Sequence, residues 1–278
     1  METKQKSSGP VPSNGPEQLR SKRRRVLTNP IVIRVLSLVV FLGLWEVLGR
    51  DVNPILLSYP SQIAQAAVVI TLSGELPGQL LISLLELGIG LFGAIILGVI
   101  IGVLMGHWPV FEAAVDSYVY ALYATPRIAL IPLIILWFGL GIEAKIFIIF
   151  LSAVFPMIIN SYAGVRDVQK ILVEVALSLG ANDRQLLWHV AIPYAVPYIV
   201  TGIRLALGRA IIGMITAEMF VSIGGLGSLL LRYGNYYQTA KLFVTICVLA
   251  LLGVFLMYAV RLLEDRVVPW KALERARP

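Results

Sequence analysis

Charged residues are scarce in this chain: they make up 14% of its 278 positions, where a soluble domain averages roughly a quarter. Hydrophobic residues reach 58% and the mean hydropathy is +0.84. That leaves too little polar material to cover a globule in water, so a soluble enzyme or binding domain is excluded and lipid is the expected solvent. Cysteine is nearly missing as well. Cys247 stands alone in an apolar run, which excludes an internal disulfide. The only histidines, His107 and His189, lie far apart and neither has metal-ligand spacing. A zinc site needs about three or four protein ligands, so no metal and no cofactor are expected. There is no Gly-rich loop ending in Lys-Ser/Thr to cradle nucleotide phosphates. No His/Asp/Ser constellation at a common depth suggests catalysis. The chain is therefore not expected to be an enzyme, and ATP, if it drives the protein, must be hydrolysed in a separate subunit.

What is present is a series of long apolar runs. A bilayer core of about 30 Å needs about 20 apolar residues in a helix, and by that measure about six runs qualify. They are Ile31–Gly49, Leu80–Met105, Ala113–Gly139 (interrupted by "ATPR" and Pro132), Ala144–Gly164 (with Pro156 inside), the run from Pro193 to Phe220, and Lys241–Leu263. The expected fold is an all-α polytopic membrane protein with both termini on one side. Residues 1–30 are polar, rich in Ser, Gly and Pro, and end in a KRRR cluster, the composition of a disordered basic tail. The first apolar run holds Trp45 and Glu46 and no small-x-small cleavage site follows it, so it is expected to be retained as a membrane helix.

Lysine and arginine set the orientation. Seven lie in residues 1–30, three in 164–193 and five in 261–278, whereas the opposite segments hold only Arg50, Lys145, Arg232 and Lys241. This asymmetry predicts both termini, and residues 266–278 as a tail, in the cytoplasm. The basic clusters flanking the first and last spans suit anionic membrane lipid rather than nucleic acid. Two amphipathic stretches on the outer side, one starting with an N-cap at Ser61 and one within "GGLGSLLLRYGNYYQTAK", are expected as short non-spanning helices able to meet an external partner.

The stretch "EVALSLGANDRQLLWHVAIP", residues 174–193, is polar for its surroundings. Ile171, Leu172, Val175, Ala176 and Leu179 recur at the spacing of one helical face. Asp167 is a plausible N-cap, and Gly180 stands where a left-handed residue ends a helix. Asn182 or Asp183 can cap a second helix over Gln185–His189, and Pro193 stops it or opens the next span. Residues 166–193 thus read as a helix–turn–helix presented to the cytoplasm. Tethering at both ends leaves no free recognition helix for DNA. A docking element for a soluble partner suits the small residues at its tip.

Glu174-Val175-Ala176, three residues, Gly180, nine residues, then Val190-x-Ile192-Pro193 resembles the cytoplasmic "EAA … G … I-x-L-P" motif of permease subunits of bacterial ATP-binding-cassette importers. Val175, Val190 and Ile192 depart from that motif conservatively. The stretches "YPSQI", "RIALIPLIILWFGLGIEAK", "FPMIINSYAGVRDV" and "GIRLALGRAIIGMITAEMF" extend the resemblance over roughly residues 31–265, the expected permease domain. They are similar to the branch that imports nitrate, sulfonates, taurine, bicarbonate or related small compounds, with some members carrying pyrimidine vitamin precursors. The resemblance implies a type I importer permease in the bacterial inner membrane. It also implies a permease homodimer, two ATPase subunits and an external solute-binding protein. In such proteins the motif helix docks on the ATPase, which here implicates Glu174, Val175, Ala176, Gly180, Ala181, Ile192 and Pro193. Glu174 would act by holding the helix terminus or by pairing with a partner arginine.

The ionisable residues within the spans are few. Arg127, Arg204, Arg209 and Glu218 are candidates for a translocation path, since such groups face a bundle interior or a water-filled route. The same residues could instead pair with Glu218, Glu86 or free carbonyls and lock helices. Gly98, Gly102 and Gly106 form a small-xxx-small ladder for close helix packing. An ion-coupled secondary transporter or channel is the alternative reading. It calls for coupling carboxylates or an inverted repeat, and beyond Glu86 and Glu218 neither is evident.

Overall fold

The computed structural model describes residues 30–221 and 223–267. The expected N-terminal and C-terminal tails therefore lie, apart from their inner edges, outside the described residues. The chain divides into two compact units, Met1–Ser61 and Gln62–Pro278.

In the first unit, α1 (Pro30–Arg50) is apolar and exposed along almost its whole length, as a lipid-facing helix must be. Its end is tied to the following turn. The Trp45 indole donates to the Ser58 carbonyl at 3.1 Å, and the Glu46 carboxylate accepts the Ser61 N–H at 2.9 Å and its hydroxyl at 2.8 Å. This corrects the expected N-cap. Helix α2 (Pro60–Leu72) begins at Pro60, where a missing N–H is harmless, and the Ser61 hydroxyl is engaged by Glu46 instead.

The second unit is all-α among the described residues. It comprises α3 (Glu75–His107), α4 (Pro109–Ala124), a 3₁₀ turn (Arg127–Leu130), α5 (Ile131–Phe138) and α6 (Ile142–Arg166). There follow α7 (Lys170–Ser178), α8 (Asp183–Leu186), a π turn (Leu187–Ala191), α9 (Ile192–Val221), α10 (Leu226–Asn235) and α11 (Thr239–Val267). Its centre is the packing of α3, α6 and α9. Gly90 lies against Ile149, Gly98 against Met157, Gly102 against Ser161 and Gly106 against Val165. Residue numbers rise together along this seam, so α3 and α6 run parallel. Gly164 meets Tyr198 while Gly213 meets Ser152, so α9 runs antiparallel to α6. Arg204 pairs with Glu264 and Gly208 faces Met257, so α11 runs antiparallel to α9.

Parallel α3 and α6 require the chain to recross the layer between them, and residues 109–138 are the chain available to do it. They are apolar enough but bent by 93° between Ala124 and Arg127. The third expected span is thus a broken one, and the described residues hold five unbroken helices of spanning length. Its break is at Thr125–Pro126, because a residue before proline disfavours the α region. Pro132 does not interrupt the span: it sits in the first turn of α5, where proline is tolerated. One consequence is topological. The end of α3, the start of α4, the end of α6, the start of α9 and the end of α11 share one side, with α7 and α8 between the third and fourth of these.

The ladder extends beyond the expected Gly98, Gly102 and Gly106 to Gly90 and the fully buried Ala94. A Cβ at Gly102 would lie 2.5 Å from the Ile158 carbonyl oxygen and 2.6 Å from the Ser161 Cβ. Gly102→Leu is therefore expected to destabilise the protein by about 1–3 kcal/mol through overpacking. Gly253→Ala, with nothing within 4 Å, should be silent in the same thermal melt in detergent. Equal melting temperatures for the two variants would remove the ladder from the packing argument.

Candidate functional site

Two regions hold the residues singled out by the sequence. The first is the segment between α6 and α9. Asp167 follows α6 directly, and its carboxylate accepts the Tyr198 hydroxyl of α9. It therefore does not cap α7, which starts at Lys170 behind Gln169 with no side-chain cap. Among the described residues the apolar face of α7 and its C-cap is left uncovered: Ile171 is 63% exposed and Leu179 83%, with Leu172 and Val175 also exposed. Glu174 is exposed beside them, while Ala176 is half-buried.

The helix ends as the glycine demands. Gly180 has φ +80°, a left-handed conformation that glycine adopts without Cβ strain. Its N–H donates to Leu177 O at 2.9 Å, and the Ala181 N–H donates to Ala176 O at 3.0 Å, the paired bonds of a Schellman motif. Ala176, Gly180 and Ala181 thus meet in one turn. Asn182 then closes a capping box with Gln185: each side chain takes the other's backbone N–H at 2.9 Å. Of the two expected caps, Asn182 is the one used.

The second helix of the segment is not separate. Asp183–Val221 is continuous over 39 residues, with a π turn just before Pro193. Pro193, expected to stop a helix or open a span, does not stop this one, because the wider turn absorbs the register change around its missing N–H. Ile192 and Pro193 lie in the first turn of α9. The segment is also gripped at its base. A Cβ at Gly164 would lie 2.7 Å from the Tyr198 Cβ. Glu112 of α4 accepts the Tyr162 hydroxyl at 2.5 Å and pairs with Arg166. The end of α6 is thus tied to both α4 and α9 at the base of this segment.

The second region is the set of buried charges. Glu218 is fully buried and engaged by its neighbours. It accepts the Ser83 hydroxyl at 2.5 Å and the Gly227 N–H at 2.7 Å, while Ser83 Oγ accepts the Leu226 N–H at 2.8 Å. A carboxylate thereby closes the N-terminus of α10, where free N–H groups favour negative charge. This helix, expected on the surface, has Leu226, Leu229 and Tyr233 buried. Its far end is tied to α3 by Arg232 and by the Tyr233 hydroxyl, both on Glu75. Burial and the Glu75 carboxylate push the Tyr233 phenol up to about 12, so it remains a donor at neutral pH.

Lys145, read from sequence as an outer-segment charge, is instead 3% exposed within α6. It pairs with Glu86 of α3 and donates to the Gly224 carbonyl at 3.3 Å. The sequence signal was there: a lysine already one turn inside an apolar helix. Arg204 pairs with Glu264 of α11 rather than with Glu86 or Glu218, a partner that sequence reasoning did not consider.

Only Arg127 and Arg209 of the four path candidates come together. They line a cavity of about 210 Å³ at the bend of the broken span, with Ile128, Ile148, Ser152, Ile212 and Thr216. Arg127 Nη2 donates to Tyr123 O at 3.3 Å, and the guanidinium sits 5.5 Å from the Tyr123 ring centroid.

The family described as binding-protein-dependent transport system inner membrane component matches residues 94–269. The putative aliphatic sulfonates transport permease protein SsuC of Bacillus subtilis (strain 168) is 34% identical over 270 residues, covering 96% of this chain and 98% of that protein. The taurine transport system permease protein TauC of Escherichia coli (strain K12) is 30% identical over 264 residues, covering 91% and 96%. Among solved structures, an inward-facing MetNI methionine ABC transporter superposes with a TM-score of 0.57 at 22% identity, over 70% of this chain and 94% of that one. That likeness carries the fold alone.

Proposed function

This chain belongs to the family of binding-protein-dependent transport system inner membrane components, and from that premise we propose how its parts serve transport. It is the transmembrane permease of an ATP-driven importer. In our reading, α7 and the Gly180 turn are the surface on which a soluble ATPase docks. Glu174, Val175, Ala176, Gly180 and Ala181 form the contact, and Ile192 and Pro193 start the helix that carries its movement inward. The observation that supports this most directly is the apolar face of α7, exposed on a helix outside the spans and joined to α9 by a helix that does not break. Large apolar side chains exposed together mark an interaction site.

The side bearing α7 is then cytoplasmic, which agrees with the basic residues there and assigns the end of α11 to it. The N-terminus, with its own basic cluster, belongs to the cytoplasm in the same reading. Two ATPase subunits act on a permease homodimer, and an external solute-binding protein delivers the substrate. Loaded binding protein outside and ATP inside bias the permease between outward- and inward-facing states. The solute is a small compound, and the taurine and sulfonate relatives favour a sulfonate over the nitrate, bicarbonate and pyrimidine alternatives.

The test is reconstitution in liposomes with an ATPase and a binding protein encoded beside this chain. ATP hydrolysis should rise when the binding protein carries taurine or an alkanesulfonate, and solute should accumulate inside. Solute movement by the permease alone, with no ATPase bound, would show that the docking assignment is wrong and favour a secondary transporter or channel.

A further inference from the structure

The cavity at the bend of the broken span is built unlike the other buried polar sites. Glu86, Glu218, Arg204 and Lys145 each have a partner of opposite charge or several hydrogen bonds. Arg127 and Arg209 have neither: no acidic residue lines their cavity. The Nε of Arg127 is buried without a hydrogen-bond partner. Arg127 is half-buried and Arg209 exposed in the single chain; Arg209 makes no ion pair among the described residues, and the two guanidinium charges repel each other. Unpaired charge within a membrane is costly and tends to mark a functional site, and an anion between the two would relieve both the repulsion and the unsatisfied donor.

The remaining lining narrows the anion. The Ser152 and Thr216 hydroxyls donate to the carbonyls of Ile148 and Ile212 one turn earlier, at 2.8 Å in both cases. They therefore offer lone pairs rather than protons, and the arginines are the donors an oxyanion would find. Ile128, Ile148 and Ile212 make the walls apolar, which suits a short hydrocarbon tail better than a bare inorganic ion. At about 210 Å³ the space is below the roughly 300–1,000 Å³ of drug-sized ligand sites.

We infer that this cavity is a way-station for an alkanesulfonate-class anion, its oxygens on Arg127 and Arg209 and its alkyl part against the isoleucines. The inference rests on the sulfonate-importer reading and adds to it a site inside the membrane. Arg204 and Glu218 have no part in it; they hold helices together.

Arg127→Gln, Arg209→Gln and the corresponding Lys variants decide the matter, each in the full complex in proteoliposomes, with taurine, ethanesulfonate and butanesulfonate as probes. Loss of one charge-assisted contact should lower the solute moved per ATP hydrolysed by about tenfold. Lysine, which keeps the charge, should recover part of that loss; a purely packing role would not be rescued by charge. Ile212→Trp, which fills the cavity, should slow butanesulfonate more than ethanesulfonate. If the wild-type complex moves the sulfonates and both Gln variants move them equally well per ATP, the way-station is overturned while the importer reading stands. If the wild-type complex responds to no sulfonate-loaded binding protein, the substrate reading fails and takes the site with it.

Discussion

Gly180→Pro is expected to leave the protein inserted and folded but to cut ATP-driven uptake by at least about tenfold, the scale of losing a central interface contact. The backbone there sits at φ +80°, and proline holds φ near −65°, so the turn cannot keep its shape. Proline also removes the N–H that donates to Leu177 O at 2.9 Å and disfavours helical geometry at Leu179. The bundle should tolerate this, since nothing lies within 4 Å of a Cβ built at Gly180. Glu174→Lys should uncouple transport as strongly through charge alone, because it lies exposed on the docking face. The measurement is paired: co-purification of the ATPase and uptake in proteoliposomes, with a thermal melt to verify folding. Normal uptake in either variant would remove α7 from the coupling role.

Lys145→Met should destabilise the protein more than Gly102→Leu. Lys145 and Glu86 are both buried, and removing one partner of a buried ion pair leaves the other charge stranded, at about 3–5 kcal/mol. The substitution also deprives the Gly224 carbonyl of its donor. In detergent this corresponds to a drop in melting temperature on the order of 10 °C. The double variant Glu86→Gln/Lys145→Met, which strands no charge, should recover much of that loss. A melting temperature within a degree of wild type for Lys145→Met would mean that the pair does not hold α3 to α6.

The start of α10 is held by Glu218 and Ser83, and the loop before it by Lys145 through the Gly224 carbonyl. Loosening the Glu86–Lys145 pair frees the loop that positions α10. Uptake in Lys145→Met should therefore fall at temperatures where the spans themselves remain folded.

The two parts of the molecule are legible in the sequence to different degrees. Apolar run length is local and additive, so membrane class and most span boundaries can be read directly. The motif around Glu174 and Gly180 is equally legible, because a Schellman turn and a capping box are written in neighbouring residues. Asp167 is misread for the converse reason: its carboxylate is taken by Tyr198, 31 residues away, and local spacing carries no record of that competition. The continuity of Asp183–Val221 through Pro193 is likewise hidden, since a π turn has no simple residue signature.

The sequence by itself determined that this chain lives in lipid, that its spans pack through small residues, and that one polar helix with its glycine turn stands outside them. Tertiary structure decided which of the few intramembrane charges lock helices and which remain unpaired. It assigned Arg204 to Glu264, Lys145 to Glu86 and Glu218 to the start of α10, and it left Arg127 and Arg209 together in one cavity. In a low-dielectric interior an unpaired charge is costly, and whether a charge finds a partner on a helix far away in the chain depends on which helices run side by side and in which direction.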